Sequence, residues 1–326
     1  MPGFNFLKKI SGGLRRSNQD FRSPEPAVVD NTTYEQDITG QLGTLVEMHP
    51  ESTMEGIQVI TIEPKAPHTH TVVFLHGRGD NARDFSFAVG RWQDSQGRNL
   101  AAAFPSFKFI FPQAPMRKCA ATADGPTWPQ WFDVWNTRDF TDHEELQAEG
   151  LREMVPVIRR ILASEAASLG SETLPSWGKV ILAGISMGGA TSVHTLFNLD
   201  APKLGAFMGF SCRLPFPRCQ AVLELREVLK LDEVPRDGGQ SQVLANTPIL
   251  LEHCVDDPLV LVEGGRGLRD KLRALGAQNV EWKEYPAGGH WFNSPHGMDD
   301  AVEFINRHVL GKGQQQALGE DAMDQS

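Results

Sequence analysis

The chain has 326 residues, 40% of them hydrophobic and 22% charged, with a formal net charge of −10. This is the composition of a soluble globular protein long enough for one large α/β domain, and its acidic balance argues against nucleic-acid binding, which depends on a basic surface to replace the counterions around phosphate. No run of about 18 apolar residues offers a membrane span, and no apolar core follows the N-terminal charges as it would in a secretory signal.

Residues 1–40 are rich in Gly, Ser, Asn, Pro and Arg without sustained periodicity and read as a flexible basic tail. Phe4, Phe6, Leu7, Ile10 and Leu14 are interspersed with Lys8, Lys9, Arg15 and Arg16. That pattern leaves open a peripheral membrane contact through residues 1–20 or a mitochondrial presequence. A single domain is expected over 41–310. Its first clear core strand is Thr71–Leu75, followed by Phe107–Phe111, Val180–Ala183, Ala206–Phe210, Pro248–His253 and Val280–Tyr285. Helical patterns fall between them. Leu151, Met154, Val155, Ile158 and Ile161 recur at three- and four-residue spacing, and Pro156 within that set predicts a kink or a late start. Further helices fit 189–197, 263–275 and 298–309, and Leu223, Val228, Leu229 and Leu231 suggest a short one within 221–246, as a lid or as an insertion packed on the core. A Gln-, Gly- and acid-rich tail closes the chain over 311–326. Near-continuous apolar strands alternating with helices predict a mostly parallel central sheet with helices on both faces.

The chemistry centres on Gly184-Ile185-Ser186-Met187-Gly188, a G-x-S-x-G pentad between an apolar strand and a helix. The pentad alone occurs by chance in about one chain in ten of this length. Its strand–turn–helix context makes it a nucleophile elbow, with Ser186 as a covalent catalyst. A serine hydroxyl needs a base, and the base needs a group to fix its tautomer. Two carboxylates, Asp256 and Asp257, follow the strand 248–253, the second leading into Pro258-Leu259-Val260; Asp257 is the preferred acid and Asp256 the alternative. His290, on the loop Gly288-Gly289-His290 after the last strand, is the preferred base over His296 and His308. The oxyanion of a tetrahedral intermediate needs preorganised N–H donors. Met187, after the nucleophile, supplies one; Arg78, in the loop His76-Gly77-Arg78-Gly79-Asp80 after the first strand, supplies the other, with His76 as a structural anchor.

These segments resemble the phospholipase/carboxylesterase family of α/β-hydrolases, which includes the acyl-protein thioesterases. The resemblance covers roughly residues 65–310 and rests on Phe74-Leu75-His76-Gly77-Arg78-Gly79-Asp80, Trp131-Phe132-Asp133, Gly184 to Gly189, Leu214-Pro215, Asp257-Pro258-Leu259-Val260 and Gly289-His290. It implies the α/β-hydrolase fold, a Ser186–His290–Asp257 triad, oxyanion donors Arg78 and Met187, and cofactor-free hydrolysis of carboxylic esters, thioesters or lysophospholipids, the substrate being a small molecule or an acylated protein. It also implies an acyl pocket near the segment Thr127–Trp135, with Trp128, Trp131, Phe132 and Leu214 as candidate lining. The chain departs from the family pattern at Met187, where glutamine is usual, at Arg78, where an aliphatic residue is usual and a charge now approaches the site, and in the longer 221–246 segment. Residues 120–125 do not resemble the family's acyl-binding loop. The other readings are a catalytically silent scaffold and a serine peptidase on the same fold. Four cysteines without a C-x-x-C pair argue against a zinc site, and with no secretory signal they suit reduced thiols in the cytoplasm. No metal and no cofactor are expected, and the sequence leaves the oligomeric state open.

Overall fold

The computed structural model describes residues 51–121, 125–231 and 242–312. Residues 1–40 and 313–326, expected as tails, lie outside the described residues, as do 122–124 and 232–241. Eight strands form one sheet: β1 (Ser52–Met54), β2 (Ile57–Ile62), β3 (His70–Leu75), β4 (Phe107–Pro112), β7 (Val180–Ile185), β8 (Ala206–Phe210), β9 (Ile249–Cys254) and β10 (Val280–Tyr285), while β5 (Met116–Lys118) and β6 (Thr127–Pro129) make a separate antiparallel pair. The order across the sheet is β1-β2-β4-β3-β7-β8-β9-β10. From β4 to β10 every neighbouring pair is parallel; at one edge β2 pairs antiparallel with both β1 and β4. The mostly parallel sheet expected from the apolar runs is present, with an antiparallel edge and a small hairpin added.

The central strands are apolar throughout because both of their faces are covered. Side chains alternate along a strand, so Val73, Leu75, Ile110, Val180, Leu182, Phe207, Ile249 and Leu251 share one core with Leu151, Val155 and Ile158 of helix α3 (Glu145–Ser168), Val193 and Leu196 of α4 (Met187–Phe197), and Leu268 and Leu272 of α7 (Val262–Ala274). The intervening residues face an aromatic core. There Phe74 meets Phe85 of α1 (Ala82–Val89), Phe111, Phe210 and Phe292 at ring-centroid distances of 5.2, 6.2, 5.7 and 5.7 Å. On this side α8 (His296–His308) packs against β9 and against the short α2 (Leu100–Ala103). Helix α3 begins at Glu145 and runs through Pro156, so the proline does not delay its start. The described part of the 221–246 segment contains α5 (Val222–Leu229) and α6 (Gln242–Asn246); α5 buries Leu225 and Leu229 and packs on α3 and α4 as an insertion on the core.

The chain passes from β3 to β4 on one side and returns to β7 on the other side of β3. Such a reversal opens a crevice at the carboxyl ends of the strands, where open α/β sheets bind their ligands. The loop after β3 and the turn after β7 flank it, and Leu75 and Gly184 are register partners at its floor.

Candidate active site

Ser186 occupies the turn between β7 and α4 with φ 55° and ψ −122°. That conformation is rare for a residue with a side chain and stores about 1–3 kcal/mol of strain. It is held by the Ser186 N–H donating to Phe210 O at 2.9 Å and by close packing of the flanking glycines. A Cβ at Gly184 would lie 2.5 Å from the Gly188 carbonyl carbon, and one at Gly188 would lie 2.4 Å from both Leu75 O and His76 O. Helix α4 therefore starts directly against the end of β3.

The loop after β3 is fixed from below by His76, which is fully buried. Its Nδ1 donates to Gly77 O at 2.7 Å and its Nε2 accepts the Ala114 N–H at 3.1 Å. Burial pulls this imidazole down to about 4, outweighing the opposing bond to Gly77, so it is neutral and acts as an anchor. Trp131 Nε1 donates to His76 O at 2.8 Å, and Gly79 N–H donates to Pro129 O at 2.8 Å. Gly77 backs onto Ser186: a Cβ there would sit 3.5 Å from Ser186 Cβ. Among the described residues no carbonyl accepts the N–H of Arg78 or of Met187. The guanidinium of Arg78 is tied to the β5–β6 region: Nε donates to Gln130 at 2.7 Å, Nη2 to Cys119 Sγ at 3.0 Å, Asp133 lies 3.9 Å away, and the group covers the Trp128 ring at 5.2 Å. The charge that the sequence brings to the site is thus held by its own partners.

Asp257 and His290 meet across the loops after β9 and β10. His290 Nδ1 lies 2.7 Å from Asp257 Oδ2, while Asp257 Oδ1 accepts the N–H groups of Leu259 at 2.9 Å and Val260 at 3.0 Å. Burial by itself pushes the Asp257 carboxyl up; hydrogen bonds from His253 and His290, the charge of His290 and the Leu259 amide outweigh it and hold the group well below the usual carboxylate range. Asp256 points elsewhere and accepts Gly289 N–H at 2.8 Å, bracing the loop that carries His290. The same loop is fastened to the aromatic core by Trp92 Nε1 donating to Asn293 O at 2.6 Å and Ser294 Oγ donating to Gln93 O at 2.8 Å. Ser186 Oγ and His290 are not joined by a hydrogen bond; apo sites are often open in this way and close when substrate binds.

His296 begins α8, and His308 lies 2.7 Å from Glu281 on the outer strand. Trp131, Phe132 and Leu214 are buried, and Gly150 of α3 packs so closely that a Cβ would fall 2.5 Å from Phe132 Cα. Trp131 therefore supports the loop after β3 from the core, and only Trp128 of the four candidate lining residues is part-exposed. Cys212, packed against Gly189, and Cys254, beneath Gly288, border the site. Burial pushes each thiol up to about 12, so neither is ionised near neutral pH. Among the described residues no group of three His, Cys, Asp or Glu side chains could hold a metal ion, and no helix is long and apolar enough to cross a membrane. Sequence reasoning missed His253 because it reads as an ordinary strand residue; its one cue is the four-residue spacing to Asp257.

The family model for phospholipase/carboxylesterase matches residues 57–223. An acyl-protein thioesterase 1 of Gibberella zeae is 28% identical over 247 residues, spanning 75% of this chain and 93% of the relative. Among solved structures, Zea mays acyl-protein thioesterase 2 superposes with a TM-score of 0.58 at 26% identity, covering 77% of this chain and 98% of its own. Esterase PE8 gives 0.55 at 25% identity, covering 76% and 97%.

Proposed function

Since this chain belongs to the phospholipase/carboxylesterase family, with its α/β-hydrolase fold, and is a serine hydrolase of esters or thioesters, we propose that Ser186, His290 and Asp257 are its catalytic triad and that the N–H groups of Arg78 and Met187 form its oxyanion hole. The observation that carries this reading is the 2.7 Å pair between His290 Nδ1 and Asp257 Oδ2, taken with a serine held at positive φ in the turn after β7. Nδ1 of His290 is committed to the acid, which leaves Nε2 as the proton acceptor.

Ser186 Oγ attacks the acyl carbonyl carbon as its proton passes to His290 Nε2. The carbonyl π electrons move to oxygen, and the two N–H groups receive that charge. Collapse of the tetrahedral intermediate expels the alcohol or thiol, which takes the proton from His290, and the acyl group remains on Ser186. Water then repeats the sequence: His290 accepts its proton, hydroxide adds to the acyl carbon, and the carboxylic acid leaves as Ser186 recovers a proton. Asp257 holds the imidazole in the required tautomer and stabilises its charged form. The substrates we propose are acyl thioesters and oxyesters, on small molecules or on acylated proteins, and the setting is the cytoplasm, where the four free cysteines stay reduced.

Ser186→Ala is expected to leave a folded protein, by circular dichroism, with no measurable hydrolysis of p-nitrophenyl esters or acyl thioesters. The wild-type protein is expected to label with a fluorophosphonate probe and the variant not to. Retained hydrolysis in the variant overturns the assignment of the nucleophile, and absence of labelling in the wild type revives the silent-scaffold reading.

A further inference from the structure

His253, in β9, has a side chain only 1% exposed. Its Nε2 lies 2.7 Å from Val260 O and 3.3 Å from Asp257 Oδ2. Both neighbours are acceptors, so Nε2 carries the proton; it bonds Val260 O and has Asp257 Oδ2 alongside. Asp257 is therefore ringed by four N–H groups: Leu259 and Val260 on Oδ1, His290 and His253 on Oδ2. The two amides fix one oxygen and leave the carboxylate able to pivot about it. The imidazole of His253 opposes that pivot at the oxygen that faces His290.

The other edge of the ring shows that the fold makes room for it. His253 Nδ1 is buried with no hydrogen-bond partner, a cost that an apolar side chain in the same slot would avoid. It lies against Gly265 inside α7, where an added Cβ would stand 2.5 Å from Nδ1 and 2.7 Å from the Trp282 ring. Glycine is a poor residue for a helix interior, and here its missing side chain forms the slot that aims Nε2 at Asp257.

We propose that His253 is a positioning residue for hydrolysis, fixing the direction of Asp257 Oδ2 toward His290. This rests on reading Ser186, His290 and Asp257 as the triad. The test compares kcat and KM for a p-nitrophenyl ester in His253→Phe, His253→Gln, Gly265→Ala and Ser186→Ala. His253→Phe fills the slot without a donor and is expected to lose about 10–100-fold in kcat, the range seen when a residue orienting a functional ligand is removed, with KM little changed. His253→Gln places an N–H near the same point and is expected to recover most of kcat. Gly265→Ala displaces the ring without altering a titratable group and is expected to lower kcat as His253→Phe does. Wild-type kcat in a folded His253→Phe, beside an inactive Ser186→Ala, overturns the positioning role and leaves the triad standing. Hydrolysis by Ser186→Ala overturns the triad itself. Should His253→Phe not fold, wild-type kcat in Gly265→Ala overturns the proposal.

Discussion

Asp256 and Asp257 are chemically identical neighbours with different tasks. Asp257 contacts the imidazole of His290, and Asp256 accepts a backbone N–H from the loop beneath it. The pattern Asp-Asp-Pro placed both at the end of a strand and favoured Asp257, next to Pro258, but the contacts of each depend on which way its side chain leaves the turn. The two asparagine variants should therefore diverge. Asn at 257 presents an amide to His290 and favours the wrong tautomer, for an expected loss of about 10⁴-fold in kcat. Asn at 256 keeps an oxygen that can accept the Gly289 N–H, so kcat should fall far less. Steady-state kinetics of Asp257→Asn and Asp256→Asn check this, and a larger loss at 256 would exchange the roles. Arg78 shows the same limit of sequence reading. Its place in the loop was legible, but the four partners of its guanidinium come from chain 41 or more residues away.

At the scale of elements, the junction of β7 and α4 is set by backbone approach. A methyl group at Gly188 would meet two carbonyl oxygens at the end of β3, neither able to move without breaking the sheet. Gly188→Ala is expected to cost at least about 1–3 kcal/mol, as overpacking does, seen as a lowered Tm and weakened fluorophosphonate labelling. The central strands were readable because burial on both faces makes them continuously apolar. β1 and β2 escaped notice: β1 is three residues long and largely exposed, and β2 interrupts its apolar residues with Gln58 and Thr61. The hairpin β5–β6 was legible only as an aromatic segment, since its strands have three residues each. Pro156 does not delay the helix, because a proline inside a long helix is tolerated where packing along the whole face, from Leu151 to Leu162, outweighs one missing hydrogen bond.

For the whole molecule, the aromatic core contains a carboxyl group that ties folding to pH. Glu252 is buried with neither oxygen hydrogen-bonded; burial first, and the nearby charge of Asp300 second, push it well above the ordinary range. A carboxyl that is easier to protonate folded than unfolded favours the fold at low pH, and that contribution is lost as the pH rises through its raised folded value. Each unit of the rise is worth about 1.4 kcal/mol, or about 2–4 °C in Tm for a domain of this size. Glu252→Gln should therefore show a smaller fall in Tm between about pH 5 and pH 8 than the wild type, measured by scanning fluorimetry; parallel curves would refute it. The two cores also divide the residues proposed as catalytic. The helix behind Ser186 belongs to one, and Phe292, beside His290, belongs to the other. A chain leaving the ribosome releases its serine long before its histidine; the serine turn is held by β3 and β8, while the imidazole arrives only with the loop after β10. On the reading proposed above, Ser186 gains its base only when the last strand and its loop have docked, so its activation waits for the end of the chain to fold.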